Sequence, residues 1–301
     1  MLAIVIPYYK LTFFEITLQS LVNQTNKKFK VYIGDDASPE NPTFLLNKYK
    51  SKIDFVYHRF NDNLGAYSLV KQWDRCIELI GEENWIMILG DDDVLGDNVV
   101  DSFYTNLYEV VSCSINVVRF STIVEQDNLQ LKAYKATHPK FEMISDFYYR
   151  KFKGHTRSSL SEYIFRKEAY LKNKFKEYPL GWHSDDRAWL DFSDKKPIFS
   201  INEAEVLIRI SDYSISGKNN NKAYKDNARL MFFSDLLTSS LDDFSNKTKL
   251  LLLIRYEEII TYQKKAAIKD WCFIISKYFK IGSFIEIVKV FRRMLINQFS
   301  K

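Results

Sequence analysis

Asp91-Asp92-Asp93 is the first feature of the chain that demands a chemical explanation. Three adjacent carboxylates raise one another's pKa, because each charge disfavours the next. A hard divalent cation relieves that repulsion. Mg²⁺ and Mn²⁺ suit such a site, taking one or two carboxylates together with phosphate oxygens of a substrate. In isolation the triplet reads equally as a solvated turn with one Asp capping the next helix. Its placement decides for the metal, because it follows at once on the apolar run Trp85-Ile86-Met87-Ile88-Leu89. Asp35-Asp36 follows a second strand-like run, Lys30–Gly34. There an Asx turn near Pro39 competes with a carboxylate that accepts from a base or a ribose. Asp185-Asp186 opens a helical pattern. First-turn acids serve the helix dipole in any case.

The elements that must position these groups read off the hydrophobic pattern. Short apolar runs at Leu2–Ile6, Lys30–Gly34, Ile53–Arg59, Trp85–Leu89 and Ile115–Phe120 predict strands. Helical spacing predicts helices over Phe13–Gln24, Thr43–Tyr49, Leu69–Ile80 and Val99–Val111. This alternation is the signature of an α/β fold with a mostly parallel, Rossmann-like sheet between helices. Ligands of such sheets bind beyond the carboxyl ends of the strands. The expected site is therefore Pro7–Tyr9, Asp35–Ser38 and Asp91–Asp93. The middle of the chain is more irregular, with strand patterns at Glu162–Arg166 and Ala204–Ile210. Ser211–Lys225 is polar and reads as a linker, and from Tyr224 the pattern is helical.

Composition narrows the class. The 301 residues are 46% hydrophobic and 27% charged, enough for a sizeable core and unlike a disordered chain. Only nine glycines occur, and none builds G-x-G-x-x-G or a Walker loop. Cys76, Cys113 and Cys272 lack any zinc or redox spacing and read as free thiols of a reducing compartment. Met1–Pro7 has no basic leader, which points to the cytoplasm.

A joint pattern now becomes specific. Ile4-Val5-Ile6-Pro7-Tyr8-Tyr9, Ser20–Thr25, Gly34-Asp35-Asp36-Ala37-Ser38, Asn63-Leu64-Gly65 and Leu89–Leu95 follow in order over the first hundred residues. Together they resemble the family 2 glycosyltransferases, which have the GT-A fold. The resemblance implies a metal-dependent, inverting sugar transfer from a nucleotide sugar, UDP-linked, with Mn²⁺ or Mg²⁺. It implies that Asp36 holds the uracil, that Pro7 and Tyr9 contact the nucleotide and that Asp91 lies near the ribose. Asp92 is implied as metal ligand, with Asp93 beside it. The family cluster usually reads Asp-x-Asp-Asp, and here its first position is Gly90. Asp185 matches the catalytic base, with Ser184 where a Glu is usual and Asp186 as the competing choice. The acceptor is expected to be a hydroxyl of a glycan or lipid-linked glycan in surface polysaccharide assembly. A nucleotidyltransferase and a non-catalytic nucleotide-sugar or glycan-binding scaffold are the rival readings. Arg209, before Ser214-Ile215-Ser216, resembles a loop that closes over diphosphate.

Several residues have plainer alternatives. Lys71 and Arg75 reach a phosphate or lie on a solvated helix face, and the second is expected. His183 contacts acceptor or metal, or is structural. Trp182 and Trp189 stack on a sugar or fill core.

The expected division is a GT-A domain over 1–212, with its nucleotide half about 1–120 and acceptor half about 121–212. A linker and basic, aromatic helices follow over 213–301. From Thr261 onward nine Lys/Arg face two acids. Ile274, Tyr278, Ile281, Ile285 and Val288 recur at helical steps on one face, with Gly282-Ser283 offering a break into two helices. Those helices pack on the domain or on a second copy as a homodimer, or rest on an anionic membrane at the inner face of the plasma membrane. The latter is favoured. The basic residues alternate with Ile, Phe and Val, unlike a nucleic-acid groove.

Overall fold

β1 (Leu2–Tyr8) is apolar at nearly every position and buried on both faces, as a central parallel strand must be. In the computed structural model, which describes residues 1–126, 135–211, 217, 220–263 and 266–299, it pairs in parallel with β2 (Phe29–Asp35) and β4 (Trp85–Ile88). β3 (Phe55–Arg59) extends the parallel ladder beyond β2. On the other side of β4 the sheet turns mixed. β9 (Tyr163–Arg166) is antiparallel to both β4 and β6 (Val117–Gln126). β10 (Ile198–Ile210) then runs parallel to β6, and the two-residue β5 (Val94–Leu95) closes antiparallel on β10. The order is β3-β2-β1-β4-β9-β6-β10-β5, with β7 (Lys135–Ala136) on β6 and β8 (Phe141–Glu142) on β10.

The mixed α/β sheet flanked by helices is the fold expected, with the long ladders parallel and the short ones antiparallel. β6 runs on to Gln126, past the predicted Phe120. Four of its six added residues are polar (Ser121, Thr122, Glu125 and Gln126), yet Ser121–Gln126 pair in register with Glu205–Ile210 after a bulge in β10. β5 is too short to show in a periodicity.

Helices cover both faces. Leu2, Ile4 and Ile6 share one core cluster with Leu18 and Leu21 of α1 (Phe14–Asn23) and with Val99, Val100 and Phe103 of α4 (Val99–Ser112). α2 is Thr43–Tyr49 and α3 is Leu69–Ile77. Around β9 an aromatic core joins Phe165, Tyr170 of α6 (Lys167–Asn173), Phe175 and Phe192 of α7 (Ser184–Ser193). Trp189 stacks on Tyr163 with ring centroids 4.0 Å apart and is fully buried, so it fills core.

The chain divides into two compact units. One comprises Met1–Ile144 and Thr156–Asn221, the other Ser145–His155 and Lys222–Lys301. Ser145–His155, most of α5 (Ile144–Phe152), thus belongs with the C-terminal helices and not with the sequence segment around it. Its Tyr148 stacks on Phe244, and Phe152 meets Phe233 at 5.0 Å. The second unit continues with α8 (Lys222–Ser239), α9 (Asn246–Tyr262), α10 (Ile268–Lys280) and α11 (Phe284–Phe299). Much of the polar stretch before α8, including Ser214–Ser216, lies outside the described residues.

The single apolar face expected across the tail is broken. Ile274 and Tyr278 are fully buried, whereas Ile285 and Val288 are more than 70% exposed. The cause is Gly282, whose φ of +69° ends the first helix and resets the phase of the second.

Trp189→Ala removes a buried indole and its stack. It is expected to cost about 3–5 kcal/mol, read as a lower urea midpoint with an unchanged slope, while Trp189→Phe costs less.

Candidate active site

Three strand ends converge. β1 delivers Pro7 and Tyr9, β2 delivers Asp35-Asp36, and β4 runs into Asp91–Asp93, which sit between β4 and β5. Pro7 is tolerated because its position faces the β4 side. The last bond there is Leu89 N–H to Val5 C=O at 2.9 Å, so Pro7 interrupts no further ladder bond.

The turn after β2 is fixed by its own carboxylates. Fully buried Asp35 accepts from Ser38 N–H at 2.8 Å, Tyr57 Oη at 2.6 Å and Arg59 at 2.8 Å. Ala37 takes a left-handed φ of +50°, rare for a residue with a Cβ. Asp36 is also buried. Its Oδ1 accepts from Leu64 N–H at 2.8 Å and from Arg75, and its Oδ2 accepts from Gly65 N–H at 2.9 Å. Burial raises its pKa, and Gly65, Arg75 and Leu64 oppose that. A carboxylate offers about four acceptor sites, so Oδ2 retains one. A Cβ on Gly65 would lie 2.5 Å from Oδ2, so only glycine admits this approach.

Arg75 is therefore not the solvated helix residue that was expected. Its guanidinium joins Asp36 to Asp62, accepted by Asp62 Oδ1 at 2.8 Å, and lies over the Phe60 ring at 4.0 Å. The sequence reading missed this role, since nothing in α3 alone shows which strand end its last turn meets. Lys71 is exposed and only 3.9 Å from Glu177, on the helix face as expected.

The acidic turn is held from four sides. Asp91 Oδ2 accepts from Tyr9 N–H and Lys10 N–H, each at 2.8 Å, which fixes the exit of β1. Tyr9 C=O in turn accepts from Ser38 Oγ at 2.6 Å, and its hydroxyl accepts from Asn63 at 3.0 Å. Asp93 Oδ2 accepts from Ser161 Oγ at 2.5 Å, and Asp93 Oδ1 from Arg209 N–H at 3.0 Å. Thr17 Oγ1 bonds the carbonyls of Asp91 and Asp93 at 3.2 and 2.8 Å. Ser161 Oγ also accepts from Gly90 N–H at 3.0 Å. Thr17 and Ser161 were invisible in sequence, being lone hydroxyls without a motif. Arg209 acts here through its backbone, while its side chain pairs with Glu125 at 2.7 Å and covers the Phe13 ring.

Among the described residues, Asp92 is the carboxylate of this turn with no such donor from another residue. Burial pushes it up to about 8, with Asp93 and then Asp91 adding repulsion. Burial raises Asp91 and Asp93 as well. A Cβ on Gly90 would stand 2.9 Å from Asp93 Oδ2 and 3.0 Å from Asp92 Oδ1. Glycine at the place of the usual Asp thus leaves room for two carboxylate oxygens on one side of the backbone.

Asp185 and Asp186 lie in the first turn of α7. Asp186 is 2% exposed and its Oδ2 meets His183 Nδ1 at 2.7 Å, whereas Asp185 is half-buried. His183 is thus tied to an acid. The approach to the helix is strained, with left-handed φ at Leu180, Gly181 and His183. This approach packs on α3: a Cβ on Gly181 would lie 3.1 Å from Trp73. The segment that links α7 to the acidic turn is 161–163, with Ser161 on Asp93 and Tyr163 under Trp189.

A family model described as Glycosyl transferase family 2 matches residues 3–172, more than half of the chain. The chain belongs to that family. It has the fold of the solved structures it resembles. Over 63 residues, a fifth of its length, it is 43% identical to the chondroitin synthase of Pasteurella multocida, and this stretch is 6% of that enzyme. S. aureus TarS 1-349 in complex with UDP-GlcNAc is similar in structure with a TM-score of 0.64 at 12% identity, over 93% of this chain and 80% of that one. Full TarS gives 0.61, and the chain spans about half (48%) of its length.

Family 2 enzymes generally use a divalent metal. Among the described residues no three or more His, Cys, Asp or Glu side chains form a metal cage. The residues nonetheless fit a hard cation, since Mg²⁺ and Mn²⁺ need only one or two carboxylates when phosphates complete the shell. Asp92, without a donor from another of the described residues and held above its ordinary pKa by burial and then by like charges, is the group such an ion would relieve.

The sign of the pH effect follows. Between about 4 and about 8 folded Asp92 holds a proton that the unfolded chain has released. Stability without metal is expected to fall as pH rises through that window. Asp92→Asn should flatten the slope, and Mn²⁺ should reverse it for the parent alone, read by thermal unfolding across pH.

Proposed function

We propose that this glycosyltransferase moves a sugar, with inversion, from a UDP-linked donor to a hydroxyl of a glycan or lipid-linked glycan in surface polysaccharide biosynthesis. The observation that carries the reading is Asp92 at the end of β4, a half-buried carboxylate with no donor from another of the described residues. It lies within a turn whose other two carboxylates are anchored. A TarS structure holding UDP-GlcNAc on the same fold supports the donor class. The similarity to a chondroitin synthase supports a polysaccharide product.

In this reading Asp36 accepts the imide N–H of uracil through the lone pair left on Oδ2. Arg75 and the Leu64 and Gly65 amides hold it still. Pro7 and Tyr9 line the nucleotide, Tyr9 being fixed by Asp91, Ser38 and Asn63. Asp91 uses one oxygen to hold β1 and keeps the other toward the ribose. Asp92 and Asp93 hold the Mn²⁺ or Mg²⁺. Such an ion, when bound, offsets charge on the departing diphosphate. Asp185 takes the proton of the acceptor hydroxyl as its oxygen attacks the anomeric carbon. The bond from that carbon to the diphosphate oxygen breaks, and UDP leaves with the electron pair. Asp185 suits the base better than Asp186, because Asp186 is buried against His183.

Asp185→Asn is expected to lower kcat by about 10²–10⁴-fold, with donor affinity nearly unchanged. An active Asp185→Asn beside a dead Asp186→Asn would move the role by one residue. Asp36→Ala strips the base contact, and a loss of about 1–3 kcal/mol weakens UDP about 5–150-fold by calorimetry. Equal affinity in mutant and parent overturns that role.

A further inference from the structure

α11 is apolar on more sides than its own unit uses. Ile287 and Val290 are buried, and Arg293 beside them pairs with Glu257 of α9 at 2.8 Å. That pair and those two side chains fix which face of α11 is turned inward. The other face carries Phe284, Val288, Phe291 and Leu295, at steps of four, three and four residues, with Ile285 beside them. These five are 48–73% exposed. A helix apolar nearly all round is normally covered on every side. Here half of it faces outward.

The charges beside this stripe say what covers it. Arg292 lies between Val288 and Leu295 on the same side and is exposed. Lys289 follows on the margin, 54% exposed at its side chain and paired within the helix to Glu286 at 2.6 Å. Across α10 and α11 the basic residues exceed the acids. A two-fold contact between copies through this face would bring the same cations together, and like charges across an interface oppose association. No helix among the described residues is long and apolar enough to cross a membrane. A short amphipathic helix with Phe and Leu on one side and Arg and Lys at its margin lies flat in a lipid interface.

We infer that the outer face of α11 docks the enzyme on an anionic lipid surface, the five apolar side chains entering the acyl boundary and Arg292 and Lys289 meeting phosphate headgroups. The surface is distinct from the donor site, so the inference stands or falls independently of the substrate.

Sedimentation of the full chain with phosphatidylglycerol vesicles and with phosphatidylcholine vesicles tests it. Binding is expected to the first and not the second, with release at about 1 M salt, where screening shortens to about 3 Å. Arg292→Glu should weaken binding by about fivefold or more, given about 1 kcal/mol for each basic residue at such a surface. Val288→Ser with Phe291→Ser should abolish it. Unchanged circular dichroism and donor hydrolysis in both variants show that they fold. A parent that stays in the supernatant with anionic vesicles at low salt overturns the inference. So does equal binding by the parent and the double serine variant. A dimer by light scattering that the double variant dissolves, without vesicle binding, assigns the face to a second copy instead.

Discussion

Desolvated negative charge at the end of β4 is the constraint on which the surrounding architecture depends. Three carboxylates in sequence cannot all be ionised in a poorly hydrated turn without donors. The fold supplies them from different places. Asp91 draws on the amides at the exit of β1, and Asp93 on Ser161 before β9 and an amide at the end of β10. Segments far apart in sequence are thereby bound to one turn. The mixed half of the sheet has a reason in this: β9 and β10 bring Ser161 and Arg209 to a place that the parallel strands alone do not reach.

Glycine use follows the same logic. The chain has few glycines, and two of them sit where a Cβ would strike a site carboxylate. Gly65 lets its amide close on Asp36, and Gly90 leaves the space beside Asp92 and Asp93 open. Neither has a left-handed φ, so the demand is for room and not for backbone freedom. At Ala37, Leu180 and His183 the opposite holds. Residues with a Cβ accept a left-handed backbone beside the candidate catalytic groups, a cost of about 1–3 kcal/mol each that the rest of the packing must offset.

Much of this was legible in sequence because periodicity and strand-end placement are local properties. β1, β2 and β4 announce themselves as apolar runs, and the acids follow them directly. The ends of three strands were therefore readable as one site. What escaped was every partner supplied from a distance. Arg75 looked like a solvated helix residue because its pairing with Asp36 depends on how α3 crosses β2. Thr17 and Ser161 are single hydroxyls, and their importance lies wholly in where the chain folds them. The tail misled for a different reason. The break at Gly282-Ser283 is readable, but the change of phase that the glycine brings is not, so a stripe that looks continuous is half core and half surface.

The two ends of the proposed donor site differ in electrostatic state, and that difference bears on how a ligand is chosen. At the Asp36 end the carboxylate is already held by two amides and a guanidinium. Under the proposed reading, a carboxylate held in this way disfavours a base without a matching donor, because its remaining lone pair would be left unpaired. At the Asp92 end the carboxylate lacks such donors, and burial with like charges holds its proton near neutral pH. A cation that binds there must displace that proton, so its affinity rises with pH. Recognition at the first end comes from shape and hydrogen bonding fixed in advance. At the second it comes from the relief of repulsion, which only a cation with a polyanion beside it provides. A nucleoside without phosphates satisfies the first end and leaves the second unrelieved. Under the proposed reading, the arrangement favours the whole nucleotide sugar with its metal over either part alone.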